Sequence, residues 1–223
     1  MRSVLIIGLG RFGKHLAKRF YELGNEVMIV DDNEDNIHEM MPFACNAKIA
    51  DCTRPDAVES LGPGNFDICF VCMGSDFQSS LEITDLLKEM GAKKVVSKAS
   101  SEIHAKFLAR NGADKVVYPE ADQAEKIAEM YSTSDHIFDV TKVTEDTGIY
   151  EIPILGHWEG KNLLDLNIRS KHRINILAIK QVFGGQVNII PLPDPKHEFE
   201  RGDHIIVFGR TADVNKFLRR IDD

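Results

Sequence analysis

The chain has 223 residues and a formal net charge of −8, with 43% hydrophobic and 28% charged residues. This size suits one large domain or two small ones with a real core. The acidic balance disfavours nucleic acid and anionic lipid as primary partners, and no apolar run approaches the roughly 20 residues that span a bilayer. Nothing resembles a secretory signal peptide, so we expect a cytoplasmic protein.

The first predicted element is an apolar strand near residues 3–8. It runs into Gly8, Gly10 and Gly13 and then into a helical pattern near 12–23. A G-x-G-x-x-G turn between a strand and a helix is typical of dinucleotide binding, because its glycines allow a tight turn, close approach to a diphosphate and close helix packing. The phosphates would lie at the helix N-terminus, which favours anions. The alternative is a glycine turn without a ligand.

The second strand is predicted near 26–31 and ends in Asp31, 21 positions after Gly10. An acidic side chain there can accept hydrogen bonds from both ribose hydroxyls of an adenine nucleotide. It would also repel a 2′-phosphate, so the pattern argues against NADP.

Strand and helix patterns continue to alternate as far as residue 118. Further strands are predicted near 47–51, 67–73, 93–98 and 115–118, and further helices near 33–41, 55–61, 76–90 and 101–111. Six strands with crossover helices predict an α/β domain with a parallel, doubly wound, Rossmann-like sheet and a ligand at the carboxyl ends of its strands. In the first helix, Leu16, Phe20 and Leu23 are expected to face the core.

Cys69 and Cys72 form a C-x-x-C pair inside a predicted buried strand. Residues three apart on a strand point to opposite faces, so we interpret both as core residues and not as a redox or zinc pair. Cys45 and Cys52 have no partner in the sequence, which fits a reducing compartment.

Polar residues follow several strand ends, where a ligand would lie. Arg11 can pair with a terminal phosphate or remain a surface arginine. Glu120 can bind a metal ion on a triphosphate, hold Arg11, or complement a helix dipole. Asp51 and Cys52, at the end of the third strand, are expected to border the adenine, or else simply to cap the next turn. Gly74 and Ser75, at the end of the fourth strand, are expected to border the ribose or a phosphate.

The pattern changes after residue 118. A helix with proline in its first turn is predicted over 119–131. Beyond a short linker, strands are predicted near 137–143, 149–155, 175–182, 186–192 and 203–209, and helices near 162–169 and 211–221. The sequence therefore predicts three parts: a nucleotide-binding domain over 1–118, a helix and linker over 119–136, and a small α+β domain over 137–223.

Catalytic machinery is not evident. None of the eight histidines forms a zinc-helix pair, and neither a G-x-S-x-G nor a P-loop motif occurs. We also find no general acid or base suited to a nicotinamide. The sequence therefore favours a protein that is not an enzyme. The alternatives are a small NAD-dependent oxidoreductase and a stand-alone nucleotide or redox sensor.

As a whole, the chain resembles the cytosolic regulatory subunits of Trk/Ktr potassium transporters, which are built from regulator-of-K⁺-conductance (RCK) domains, and it is most similar to the single-copy Ktr type. The matching segments are 7–13, 30–34, 112–120, 165–169, 176–180 and 201–209. The resemblance implies a dimer as the building block of a ring, usually an octamer. Such a ring grips a membrane subunit that translocates K⁺, or Na⁺ and K⁺, at the inner face of the membrane and opens or closes it.

The resemblance also implies that the first domain binds ATP, ADP or NAD(H), with Mg²⁺ or another divalent ion held by Glu120 when ATP is bound. The expected nucleotide-binding residues are Gly8, Gly10, Arg11, Phe12, Gly13, Asp31, Asp32, Asp51, Cys52, Gly74, Ser75, Lys98 and Glu120.

In some members of this family the C-terminal domain binds cyclic di-AMP at a dimer interface. The residues that align with that pocket are Leu163, Leu164, Asn167, Arg169, Asn175, Ile176 and Pro191. The family usually has a tyrosine or small residues where this chain has His172 and Arg173, which could alter the pocket. A plain dimer interface without a ligand is the alternative.

Overall fold

The computed structural model describes residues 1–74, 76–133, 139–183 and 185–219. The chain divides into two compact units, Met1–Ala121 and Asp122–Asp223. Among the described residues, no helix is both long enough and apolar enough to cross a membrane.

The first unit contains a six-stranded parallel sheet with helices on both faces. Its strands are β1 (Ser3–Ile7), β2 (Glu26–Asp31), β3 (Asn46–Ile49), β4 (Ile68–Val71), β5 (Val95–Lys98) and β6 (Lys115–Val117). Its helices are α1 (Arg11–Glu22), α2 (Glu34–Met40), α3 (Pro55–Glu59), α4 (Phe77–Glu89) and α5 (Glu102–Arg110), and α6 (Pro119–Thr133) begins at its end. The strand order β3-β2-β1-β4-β5-β6 confirms the doubly wound, Rossmann-like sheet.

Alternation along β1 divides the core of this unit into two layers. Val4 and Ile6 pack in the cluster that contains residues of α1 and α2, whereas Leu5 and Ile7 pack in the cluster that contains residues of α3 and α4. Runs that are apolar on both sides are what a parallel sheet covered on two faces requires. The sheet is therefore rigid at its centre, where β1 and β4 lie side by side.

The C-x-x-C pair is divided between the same two layers. Cys69 belongs to one cluster and Cys72 to the other, and both are free and buried. Burial raises the pKa of each thiol to about 12, so neither is a thiolate near neutral pH. The interpretation of both as core residues is confirmed.

The end of α1 differs from its predicted form. Leu16 and Phe20 pack against the core as expected, but Leu23 is 61% exposed. The helix ends at Glu22, and Gly24 follows in the left-handed region with φ of 77°. The expectation for Leu23 was wrong because the chain leaves the helical path before that side chain can turn toward the sheet.

The turn between β1 and α1 depends on two glycines. Gly8 has φ of 91°, a left-handed conformation that glycine adopts readily. A Cβ placed on Gly13 would lie 2.0 Å from the carbonyl oxygen of Gly8. Only a residue without a side chain allows α1 to begin this close to the end of β1.

The second unit contains a five-stranded antiparallel sheet in the order β10-β9-β11-β8-β7. Its strands are β7 (Asp139–Lys142), β8 (Thr147–Pro153), β9 (Asn175–Phe183), β10 (Gln186–Pro191) and β11 (His204–Arg210). Its helices are α7 (Leu163–Leu166), α8 (Ile168–His172) and α9 (Thr211–Leu218), with a 3-10 turn at Gly156–Trp158. The small α+β unit is confirmed. Three parts of the prediction lie outside the described residues: the linker residues 134–136, the first two residues of the strand predicted at 137–143, and the last two of the helix predicted at 211–221.

The helix predicted over 162–169 is broken in two. Asn167 adopts a left-handed conformation with φ of 46°, so α7 ends there and α8 starts at the next residue. One face of the sheet and these helices enclose Trp158, Phe199 and Phe217, each at most 1% exposed. These aromatic side chains form the centre of the second core.

We predict that Gly13→Ala lowers the free energy of unfolding by about 1–3 kcal/mol or more, because the new methyl group would overlap the Gly8 carbonyl. Gly10→Ala is the matched control, since nothing lies within 4 Å of a Cβ placed there. Urea unfolding of both variants measures the difference. Equal stability of the two variants would contradict the close-contact argument.

Candidate functional site

A cleft opens at the carboxyl edge of the first unit, where β1, β2, β3 and β4 end. It is lined by Ile7, Gly8, Asp31, Asp32, Ala50, Asp51, Cys52 and Met73. The structure thus brings five of the residues expected at a nucleotide site to one place. The apolar lining residues Ile7, Ala50 and Met73 were missed, although each lies at or next to a strand end, which is the signal that could have identified them.

Asp31 ties the glycine loop to the second strand. Its Oδ2 accepts a hydrogen bond from the backbone N–H of Leu9 at 2.5 Å. Its Oδ1 accepts from the backbone N–H of Asn33 and from the side-chain amide of Asn36, both at 3.0 Å. A carboxylate has about four acceptor sites, so Asp31 keeps capacity for a ribose hydroxyl while it holds the loop.

The N-terminus of α1 faces the same edge. Gly10 is the N-cap residue and has no side-chain hydrogen bond to the helix, so no side chain caps the N–H groups of the first turn. A Cβ on Gly10 would find nothing within 4 Å, which leaves open space where a diphosphate would approach the backbone. Arg11, the first helical residue, is exposed beside it.

Lys98, at the end of β5, is a partly buried cation of the site. Its Nζ lies 2.6 Å from Oε1 of Glu120 and 5.8 Å from the centre of the Phe12 ring. The Lys98 side chain is 14% exposed and that of Glu120 is 63% exposed. A Cβ on Gly74 would lie 3.2 Å from the same Nζ, so Gly74 leaves room for the lysine.

Glu120 is therefore the partner of Lys98. The hydrogen bond from Lys98 is the largest of the effects that lower the pKa of Glu120, and the positive charge of Arg11 adds to them. Glu120 is accordingly ionised at neutral pH. The sequence left three roles open for Glu120. The structure adds a fourth, an ion pair with a lysine 22 positions earlier in the chain.

A buried polar network supports the end of β5. Nδ1 of His104 accepts a hydrogen bond from the backbone N–H of Ser100, and its Nε2 lies 2.7 Å from the hydroxyl of Ser80 on α4. The Thr84 hydroxyl on α4 also bonds that of Ser97, next to Lys98, at 2.8 Å. Burial lowers the pKa of His104 and so favours its neutral form. These bonds fix the strand end that carries Lys98.

Asp51 serves the turn after β3. Its Oδ1 accepts hydrogen bonds from the hydroxyl and the backbone N–H of Thr53, which lower the pKa of Asp51. Cys52 beside it is 3% exposed, and burial raises the pKa of its thiol to about 12. Asp51 therefore caps the turn and also borders the cleft.

Ser75, expected to border the ligand at the end of β4, lies outside the described residues. Within the described part of the chain, no group of three or more His, Cys, Asp or Glu side chains is placed to hold a metal ion. Glu120 would therefore hold a divalent ion only together with oxygen atoms of a bound nucleotide.

In the second unit, six of the seven residues aligned with the cyclic di-AMP pocket lie together. A cleft of about 290 Å³ is lined by Leu163, Leu164, Asn167, Ile168, Arg169, Ile174, Asn175 and Ile176. Pro191 does not line it. That residue pairs with Ala178 at the end of the edge strand β10.

The parallel sheet, the glycine turn and the acidic end of β2 define the first unit as a Rossmann-like nucleotide-binding fold, here followed by a small antiparallel unit. A model of the TrkA-N domain matches residues 4–119, and a model of the TrkA-C domain matches residues 149–222. The chain belongs to the Trk/Ktr family of potassium uptake proteins.

Two relatives from Bacillus subtilis (strain 168) match almost end to end. Ktr system potassium uptake protein C is 38% identical over 220 residues, which are 99% of this chain and 97% of that protein. Ktr system potassium uptake protein A is 32% identical over 216 residues, 97% of this chain and 95% of that protein. The similarity therefore includes both units.

This chain is also similar to a solved structure, the GsuK channel bound to NAD, with a TM-score of 0.65. The match covers 99% of this chain and 40% of the GsuK chain. The sequence identity is 14%, so this likeness shows the fold.

We predict that Asp31→Ala lowers the free energy of unfolding by roughly 1–3 kcal/mol without any ligand, because the Leu9 N–H loses its partner. Asp32→Ala is the matched control, since Asp32 is an exposed carboxylate at the same cleft. Urea unfolding of the nucleotide-free protein measures both. If Asp32→Ala destabilises as much, the loss reflects charge and not the bond to the loop.

Proposed function

We propose that this chain is the nucleotide-binding regulatory subunit of a potassium transporter and acts by gating a membrane subunit that translocates K⁺. The observation that carries the proposal is the cleft at the carboxyl edge of β1 to β4, in a chain that belongs to a family of potassium uptake proteins. The protein would work at the inner face of the cell membrane without enzymatic chemistry of its own.

The described residues fit an adenine nucleotide. The adenosine would lie in the cleft with its ribose hydroxyls at Asp31 and Asp32, and its phosphates would extend over Gly10 toward Lys98. Among relatives in fold, GsuK is bound to NAD in one structure and to ADP in another. We infer that ATP, ADP or NAD(H) is the ligand of the first unit.

Regulation requires that the nucleotide binds two states of the assembly with different affinity, because a ligand with equal affinity for both shifts nothing. The ion pair of Lys98 and Glu120 offers such a difference. A terminal phosphate would compete with Glu120 for Lys98, so a nucleotide with a third phosphate must rearrange this pair or bridge it with a divalent ion such as Mg²⁺. A shorter nucleotide would leave the pair intact.

We infer that the working form is a homo-oligomer, with a dimer as the unit and an octameric ring as the full assembly. Helix α6 supports this inference, because Ile127 and Tyr131 are 45% and 76% exposed and a partner would cover them. The cleft of Leu163 and Arg169 in the second unit is a candidate site for cyclic di-AMP at such an interface. A two-fold ligand suits an interface at which each subunit offers the same patch.

The proposed function is tested by a thermal-shift and calorimetric screen of ATP, ADP, NADH and NADPH. The first three should stabilise the chain, by about 2.7 kcal/mol at 100 times the dissociation constant, and NADPH should bind more weakly because its 2′-phosphate meets Asp31 and Asp32. The same protein, co-expressed with a K⁺-translocating membrane subunit, should co-purify with it. No response to any nucleotide, or a preference for NADPH, would contradict the proposed nucleotide-binding function.

A matched pair of glycine variants shows where the nucleotide binds. We expect Gly10→Val to abolish the nucleotide-induced stabilisation and to leave the unliganded protein intact, because its side chain would enter the open space above the loop. Gly156→Val is the control, since that position is equally open but lies in the second unit. Equal responses of the two variants would contradict phosphate binding at the glycine loop.

We predict that Glu120→Gln strengthens ATP binding severalfold in the absence of Mg²⁺, because it removes a like charge and releases Lys98. In the same variant, Mg²⁺ should increase the affinity for ATP much less than it does in the unmodified protein. Asp122→Asn is the matched control, an exposed carboxylate on the same helix. Calorimetry with ATP and AMP, each with and without Mg²⁺, tests this. Equal changes in the affinities for ATP and AMP would show that Glu120 does not act on the terminal phosphate.

A further inference from the structure

A second cleft of the second unit contains none of the nucleotide-site residues and only one of those aligned with the cyclic di-AMP pocket. It is open to solvent, has a volume of about 480 Å³, and is lined by Thr147, Arg173, Asn175, Phe208, Gly209, Arg210 and Asp213. Asn175 is the one residue that it shares with the cleft of Leu163 and Arg169.

The strand register places three polar side chains on one side of the sheet. In the ladder of β11 with β8, Arg210 lies opposite Thr147. In the ladder of β11 with β9, Phe208 lies opposite Asn175. Residues 208 and 210 are two apart and share a face, and directly opposed residues also share a face. Thr147, Asn175 and Arg210 therefore project toward the same space.

The turn after α8 brings a second guanidinium to that space. Arg173 adopts the left-handed conformation with φ of 60°, which is uncommon and costly for a residue other than glycine. The next residue, Ile174, is fully buried, and a Cβ placed on Gly209 would lie 2.9 Å from its Cγ2. The glycine in β11 thus lets the turn pack directly on the strand, with Arg173 beside Arg210.

The two arginines keep their charge available. Among the described residues, neither guanidinium forms an ion pair within 4.0 Å of a carboxylate. Asp146 is near Arg210, but the pKa of Asp146 is lowered first by hydrogen bonds from Thr144 and Thr147 and only then by the charge of Arg210. Both arginines are exposed and line one cleft, so an anion bound there would be attracted by two positive charges.

We propose that the cleft between Arg173 and Arg210 binds the phosphate group of a small phosphate ester, at a site separate from the nucleotide site of the first unit. Guanidinium groups present parallel N–H donors that match phosphate oxygens. The Asn175 side-chain amide supplies further donors on the same side, whereas the Thr147 hydroxyl donates to Asp146.

Asp213 indicates that the ligand carries hydroxyl groups as well as a phosphate. Its carboxylate lines the same cleft and lies in the first turn of α9. An ionised carboxylate accepts hydrogen bonds and repels phosphate, so it would bond the hydroxyls of the ester's carbon part. The cleft is also larger than one phosphate ion needs, which leaves room for that part.

The experiment uses the full chain and two probes, inorganic phosphate and ribose 5-phosphate, titrated by calorimetry and NMR at constant ionic strength. Gly10→Val is the background, so that the glycine loop does not contribute. We expect saturable binding of both probes. Arg173→Ala and Arg210→Ala should each weaken both by roughly tenfold or more, the loss expected for a charge-assisted hydrogen bond. Lys171→Ala, at an exposed lysine of α8 that does not line the cleft, should change binding less than twofold.

Asp213→Asn separates the two probes. It should weaken ribose 5-phosphate and leave inorganic phosphate unchanged or slightly tighter, because a like charge is removed. Unfolding free energies of all variants establish that each is folded. The proposal is overturned if neither probe saturates, if Lys171→Ala costs as much as Arg173→Ala, or if Arg169→Ala abolishes phosphate binding, which would place the anion in the neighbouring cleft. The response to adenine nucleotides is measured separately, so either proposal can fail alone.

Discussion

The contact between Gly13 and the carbonyl of Gly8 is the constraint on which the first unit depends. A Cβ at Gly13 would lie 2.0 Å from that oxygen, so α1 can begin directly above the end of β1. This position directs the helix N-terminus to the sheet edge between β1 and β4. Asp31 then fixes the loop through the Leu9 N–H at 2.5 Å. Both contacts are made within the chain itself, so they would reduce the ordering that the proposed nucleotide has to bring about.

The charges of the site are arranged by burial. Carboxylates of Asp31, Asp32 and Asp51 border the cleft, whereas the cations Arg11 and Lys98 stand where phosphates would extend. Lys98 is mostly buried and supported by the network around His104, while most of the Glu120 side chain reaches solvent. Glu120 can therefore leave the pair for water at small cost, and Lys98 cannot. Under the proposed function, Glu120 is therefore the partner of this ion pair that a nucleotide of different length would move.

The second unit uses a glycine in a similar way. Gly209 in β11 gives Ile174 room to pack on the strand, and this contact defines the turn that carries Arg173. Asn175, at the start of β9, lines the clefts on both sides of that turn. On the sheet face away from the core, Glu151 joins Lys180 and His204 across three strands, at 2.7 and 2.9 Å. The face is therefore not a uniform apolar surface, and its chemistry varies from one end of the strands to the other.

The sequence by itself determined the parallel sheet, the glycine turn, the acidic end of β2, the burial of Cys69 and Cys72 and the change to an antiparallel unit, because these follow from local spacing and alternation. It did not determine that Glu120 pairs with Lys98, that Leu23 faces solvent or that Asn167 breaks a helix. Nor did it indicate that Pro191 does not line the cleft of the other six residues of its predicted set, or that Arg173 and Arg210 line one cleft. These depend on which residues distant in the chain meet when strands pair and helices pack. Periodicity assigns a residue to a face, but only tertiary packing decides its neighbour across that face.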